Sequence, residues 1–382
     1  MQLRPLLLLS FIIILDAKVF QVPVNSTGSL RARLIKEGRY QNFLKEMEAQ
    51  RVKTENLGTG QQPLQDYYDE FYVGSSTLWV IDSNCNAPSC NGLPQYGYTK
   101  RKFVTAASQT YINEGIPVQL PCSCGGVSGY QSKDVVSFGG MVYAAQEFML
   151  ANSVGDIYGS QPLDGVLGLA WPVLAANSMV PPMQNMLPQL DAPIFTIWLE
   201  RSISIAWGNQ DGLITYGALD GAHCDLANLH YVPLTALTYW QFAIQGFYVG
   251  SYASVQTYQV ASDTGEGWLM APQSVFNSIV QQTGAVFDPV NQFYTVGCST
   301  MTTNMYLVFD ISGVRYSISP MEYILDLELG GGRCALAIYA CISGGFHPDW
   351  TFGLPWIRSY CNVHDIGNQR IGFATAVQPN GK

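Results

Sequence analysis

Gln259-Val-Ala-Ser-Asp-Thr-Gly-Glu-Gly-Trp-Leu269 carries a carboxylate and a glycine between two apolar runs. A second stretch, Phe71-Tyr-Val-Gly-Ser-Ser-Thr-Leu-Trp-Val80, repeats its plan. With Gly74 set on Gly265, Ser75 falls on Glu266 and Ser76 on Gly267, and both segments run into an apolar, Trp-containing strand. In the same register Val73 falls on Thr264 and Tyr72 on Asp263, so a phenol stands where the second copy has a carboxylate. A phenol with an ordinary pKa near 10 is no substitute base. About 90 residues beyond each copy comes an apolar-apolar-Gly run, Val166-Leu-Gly-Leu-Ala-Trp171 and Trp350-Thr-Phe-Gly-Leu-Pro-Trp356. The chain reads as a duplicated scaffold.

The ends and the composition bound what the scaffold can be. Residues 1–17 hold one cation, Arg4, then an apolar run from Leu6 to Leu15 and the small Ala17, the pattern of a cleaved secretory signal. No later run reaches the roughly 18 apolar residues of a membrane helix. Charged residues are 12% of the chain, against about 25% in an average domain, which suits a β-rich protein working in acid. Residues 18–53 carry eight Lys or Arg and three Glu, whereas residues 54–382 carry ten and 24 Asp or Glu. A basic helical arm ahead of an acidic body can dock electrostatically and release as the carboxylates protonate; a solvated charged helix is the alternative.

Within the arm, apolar residues at 30, 34, 35, 40, 43, 44 and 47 predict an amphipathic helix interrupted at Gly38. Residues 54–65 read as a linker. From residue 66 onward short Val, Ile, Tyr, Phe and Thr runs predict strands, among them 134–138, 213–217, 239–247 and 314–318, with helices at 184–190 and 272–282. The nine cysteines imply disulfides in an exported chain, with an odd thiol left over. Cys85 and Cys90 can staple one turn, and Cys298 and Cys334 can close a strand pair. Cys122, Cys124, Cys224, Cys341 and Cys361 cannot be connected from sequence.

Taken in order, these segments resemble a pepsin-type (pepsin and cathepsin D-like) aspartic peptidase over roughly residues 20–376. Ser75-Ser-Thr-Leu-Trp-Val80 resembles the end of the first active-site motif, and Cys85 with Cys90 its disulfide. Asp164-Gly-Val-Leu-Gly-Leu-Ala-Trp171 resembles the loop bracing that motif, Ala261 to Gly265 the second motif, and Arg370-Ile-Gly-Phe-Ala374 a C-terminal strand. The resemblance implies an all-β, bilobal acid-protease fold: signal 1–17, basic propeptide-like arm 18–53, linker 54–65, N-terminal lobe 66–230 and C-terminal lobe 231–378. It implies polypeptide substrates or peptide ligands, the chain's own propeptide as a partner, no cofactor, no metal, no nucleic acid, a monomer, and a secreted or lysosomal location.

In that family one aspartate from each lobe meets at the interface and the two share a proton, because two adjacent carboxylates cannot both ionise cheaply. The ionised member takes a proton from water while the protonated one polarises the scissile carbonyl. By resemblance Asp263, Thr264 and Gly265 form the second-lobe motif, and Gly74, Ser75, Ser76 and Trp79 support the cleft. The first-lobe Asp is missing: about two dozen residues are absent as a block at Val73–Gly74, leaving the N-terminal lobe incomplete. The flap tyrosine position falls on Cys122. Glu266 and Gly267 replace hydroxyl residues, and the Glu266 charge is expected to raise the Asp263 pKa. Activity is therefore expected to be weak or absent, the alternative being a non-catalytic peptide-binding pseudo-protease.

Other chemistry has little support. Gly330-Gly-Gly332 lacks a following Lys and reads as a turn. There is no Gly-x-Ser-x-Gly elbow. The four histidines, at 223, 230, 347 and 364, lack metal-ligand spacing and read as surface or loop residues.

Overall fold

Alternating apolar runs punctuated by glycine and proline become short strands arranged in five sheets in the computed structural model, which describes residues 18–25, 30–45, 74–92, 98–120, 126–201, 210–341 and 348–379. The all-β, two-lobed expectation holds. A six-stranded sheet forms the shared floor, in the order Phe20–Asn25, Gln210–Tyr216, Ile194–Leu199, Tyr360–Asp365, Arg370–Ala376, Cys224–Pro233. The arm thus supplies an edge strand, with Phe20 opposite Tyr216. The lobe boundary expected between residues 230 and 231 falls inside the Cys224–Pro233 strand of this floor.

Each lobe then adds its own sheet. The N-terminal one runs Ile112–Leu120, Val127–Phe138, Met141–Val154, Trp79–Ile81, Gly165–Val166; the C-terminal one runs Ala236–Leu237, Trp240–Ile244, Tyr258–Ser262, Trp350–Phe352, Leu269–Pro272, Ile338–Cys341. Trp79 pairs parallel with Met149 and antiparallel with Val166, just as Leu269 pairs parallel with Ile338 and antiparallel with Phe352. The duplication read from sequence is therefore structural. One strand breaks the symmetry. Tyr258–Ser262, which leads into Asp263, lies parallel to Trp350–Phe352, whereas among the described residues no strand takes that place beside Gly165–Val166.

The main core fills the space above the floor with aromatic side chains, and Trp240, Trp350, Trp356, Phe309, Phe352 and Phe373 are all fully buried. Truncating such a ring typically costs about 3–5 kcal/mol. The arm helix Leu30–Lys36 ends at Gly38, whose φ of 66° is open to glycine without strain. A second helical stretch follows at 40–45. Ala32, Leu34, Tyr40 and Phe43 bury themselves against Trp268, Phe293, Leu327 and Tyr339 of the C-terminal lobe. An apolar cluster thus seats the arm, beside the exposed Lys36–Glu328 pair at 2.9 Å.

Some expectations shift. The predicted helix at 272–282 is Gln273–Thr283, with Pro272 just ahead of it at the N-cap. That at 184–190 is a short helix, Pro182–Met186, tightening into the 3-10 turn Leu187–Gln189. The run 239–247 splits into Trp240–Ile244 and Gly246–Val249, because the chain changes sheets at Gln245, whose amide donates to the Asp310 carbonyl at 2.8 Å. Both expected disulfides form, Cys85–Cys90 and Cys298–Cys334, and a third joins Cys224 to Cys361. His364 corrects the surface expectation: it is fully buried, stacked on Phe195 at 4.2 Å and edge-on to Trp240 at 4.6 Å. Its strand runs through the centre of the floor, where both faces are covered. His230 is exposed, and His347 lies outside the described residues.

Candidate active site

Asp263 sits where the strand Tyr258–Ser262 ends, its amide donating to the Phe352 carbonyl at 3.0 Å. The turn after it closes when Gly265 N–H donates to Asp263 Oδ1 at 2.9 Å. From the other lobe, Gly74 N–H reaches the same oxygen at 3.2 Å. A Cβ on Gly74 would lie 2.5 Å from Asp263 Oδ2, so glycine leaves the space that the Asp263 carboxyl occupies. The structure thus brings Gly74 and Asp263 together.

Behind each loop a second segment acts as a brace. Ser76 is buried and its hydroxyl donates to the Trp171 carbonyl at 2.5 Å, while the Ala170 amide donates to the Ser75 carbonyl at 2.9 Å. In the second lobe the Leu354 amide donates to the Glu266 carbonyl, also at 2.9 Å. Gly168 and Gly353 permit these contacts: a Cβ would lie 2.4 Å from Ser76 C and 2.1 Å from Glu266 O. The lobes are then joined across the interface by Trp240 Nε1–H donating to the Leu169 carbonyl at 3.0 Å and by the Trp171–Trp240 ring contact at 5.2 Å. Trp79 is buried and meets Tyr158 edge-on at 5.7 Å. Tyr158, unmarked in the sequence, touches both the N-terminal core and the apolar cluster beneath the arm.

Two carboxyls occupy the second-lobe loop. Asp263 keeps part of its surface open, yet the protein packed around it strips most of its solvation and pushes its pKa up to about 6, against the pull of the Gly265 and Gly74 amides. Glu266 is buried, its Oε1 accepting the Trp268 amide at 3.1 Å. Burial pushes its pKa well above the carboxylate range; Tyr339 and Arg31 pull it down, and Asp263 adds to the rise. The expected influence therefore runs differently: burial raises both carboxyls, and the Asp263 charge adds a smaller upward push on Glu266. Thr264 is buried beside them. Cys122, the flap position, and Cys124 lie outside the described residues, as do the signal 1–17 and the linker 54–65. Among the described residues the one metal-like grouping, Cys298, Asp326 and Cys334, has both sulfurs in a disulfide.

Comparison with known proteins decides what this geometry belongs to. A family model described as eukaryotic aspartyl protease matches residues 54–376. The chain belongs to the eukaryotic aspartyl protease family. It is 48% identical to Aspartic protease 1 of Caenorhabditis elegans over 395 positions, covering 98% of this chain and 99% of that protein. It is 45% identical to Aspartic protease 17 of the same organism, covering 94% and 96%, and 29% identical to human gastricsin, covering 95% and 97%. Among the described residues no helix is long and apolar enough to cross a membrane.

Proposed function

We propose that the chain is a pepsin-type acid endopeptidase scaffold, docked to its own N-terminal arm, whose cleft takes extended polypeptide and whose hydrolytic power is reduced to a trace. The observation that carries this is the neighbour of Asp263 from the other lobe: a backbone amide, Gly74 N–H, and no described carboxyl. With its pKa near 6, Asp263 is neutral at pH 3–5. A neutral acid can polarise a carbonyl but cannot take a proton from water. Above pH 6 it can take the proton, but its partner acid is missing. Losing one member of a cooperative catalytic set lowers turnover about 10⁴-fold or more.

The three disulfides among the described residues support folding in an oxidising compartment, and we place the protein in the secretory pathway, acting as a monomer outside the cell or in a lysosome. Its partners are polypeptides and its own arm; Gly74, Ser75, Ser76 and Trp79 shape the cleft around Asp263, Thr264 and Gly265. The test is hydrolysis of denatured globin at pH 3–5 by the purified chain, beside Aspartic protease 1 of Caenorhabditis elegans. We expect a rate lower by about 10⁴-fold. A comparable rate, abolished by Asp263→Ala, overturns the reading.

A further inference from the structure

Arg31 of the arm is buried, although arginine is seldom buried unless paired. Its guanidinium carbon lies 3.8 Å from the centroid of Trp268 and 5.8 Å from that of Phe293. Trp268 meets Phe293 edge-on at 5.6 Å and lies 6.3 Å from Tyr339, and all three rings are buried. Glu266, two residues before Trp268 on the same loop, is close enough for the Arg31 charge to act on its carboxyl. A planar cation stacked on indole beside a buried acid is the setting that arginine fills better than lysine, because the guanidinium is flat and weakly hydrated.

We propose that Glu266, Trp268, Phe293 and Tyr339 form a guanidinium subsite of the peptide cleft, occupied by Arg31 in the full chain and by an arginine of a bound polypeptide when the arm lifts. This rests on the cleft being a peptide-binding one. Glu266 lies three residues from Asp263, so an arginine held there anchors the polypeptide beside the candidate active site. The subsite would be a determinant of sequence preference as well as a seat for the arm. Only its use on a bound polypeptide requires a released arm.

The experiment uses the full-length chain carrying Arg31→Ala, which empties the subsite, and titrates N-acetyl-arginine amide and the neutral isostere N-acetyl-citrulline amide by calorimetry. We expect the arginine probe to bind about tenfold or more tightly than the citrulline probe. Adding Trp268→Leu, which removes the stacking ring with no change of charge, should shrink that preference to about twofold, whereas Glu266→Gln, a neutral amide for a buried neutral acid, should leave most of it. Equal binding of the two probes, or a preference that survives Trp268→Leu, overturns the subsite. Should Arg31→Ala fail to fold, the wild-type chain gives the answer by hydrogen exchange. The arginine probe should compete with Arg31 and speed exchange at residues 30–45, and no effect beyond that of citrulline counts against the proposal. None of these readouts involves hydrolysis, so the globin assay and the subsite stand or fall separately.

Discussion

Gly74 and Asp263, 189 residues apart, meet through an amide hydrogen bond of 3.2 Å at the seam between the lobes. The bond stabilises the carboxylate form of Asp263, and the absence of a Cβ is what allows it. Gly74→Ala would force the carboxyl away and break the hydrogen bond that the residue 74 N–H donates to it. We expect the Asp263 titration midpoint to rise beyond about 6 and stability to fall by about 1–3 kcal/mol. Carboxyl carbon NMR with a denaturation curve measures both. An unmoved midpoint means that the two loops do not touch in solution.

Asp263 itself should make the fold less stable as pH rises. Its proton affinity is higher folded than unfolded, about 6 against the ordinary 3.8, so the folded state holds more protons between those values. Stability is then lost as pH climbs through that window. At 1.4 kcal/mol per tenfold change in affinity the full effect is about 3 kcal/mol, trimmed to about 2 by the open part of the carboxyl. Asp263→Asn keeps an oxygen for both amides and cannot ionise. It should match wild type near pH 3.5 and exceed it by about 2 kcal/mol at pH 7. Equal stability at both pH values would show that the carboxyl is well solvated.

His364 pulls the other way. Buried against Phe195 and Trp240, it has a pKa lowered from 6.5 to about 3 by desolvation. The unfolded chain therefore takes up its proton first, and the contribution present above pH 6.5 is lost as pH falls toward 3. At pH 4 this amounts to about 3 kcal/mol. His364→Phe keeps a stacking ring of similar size and should remove most of that acid loss while changing pH 7 stability little. Urea curves for the two proteins at pH 4 and pH 7 decide it; a parallel acid loss in the variant would place the titrating group elsewhere.

Asp263, its turn and its partner glycine were legible because hydrogen-bond geometry at a tight turn dictates residue type locally. The break at Gly38 and the bracing glycines Gly168 and Gly353 were legible for the same reason. What escaped depends on contacts distant in sequence. His364 follows an unremarkable Tyr-Cys-Asn-Val run, and nothing nearby says that its strand is central in a sheet whose other members, the adjoining Arg370–Ala376 apart, lie over a hundred residues away. The seating of Arg31 on Trp268 was equally hidden, since it brings together an arm residue and a loop residue far apart in sequence. Tyr158 carries no motif at all, and its place between two cores emerges only from the packing.

The Cys224–Cys361 bridge was also beyond reach of spacing, and it supplies the last test. It ties residues 137 apart, and both are buried on the shared floor, where Asp225 faces Thr375 and Cys361 faces Ala374. Closing so long a loop restricts the unfolded chain far more than the five-residue separation of Cys85 and Cys90 does. Replacing both Cys224 and Cys361 by alanine, so that no lone thiol remains, should lower stability by about 3–5 kcal/mol. The same replacement at Cys85 and Cys90 should cost less. Guanidinium unfolding of the two double variants measures the difference, and an equal loss would show that strain or residual structure, not loop length, sets the value of these bridges.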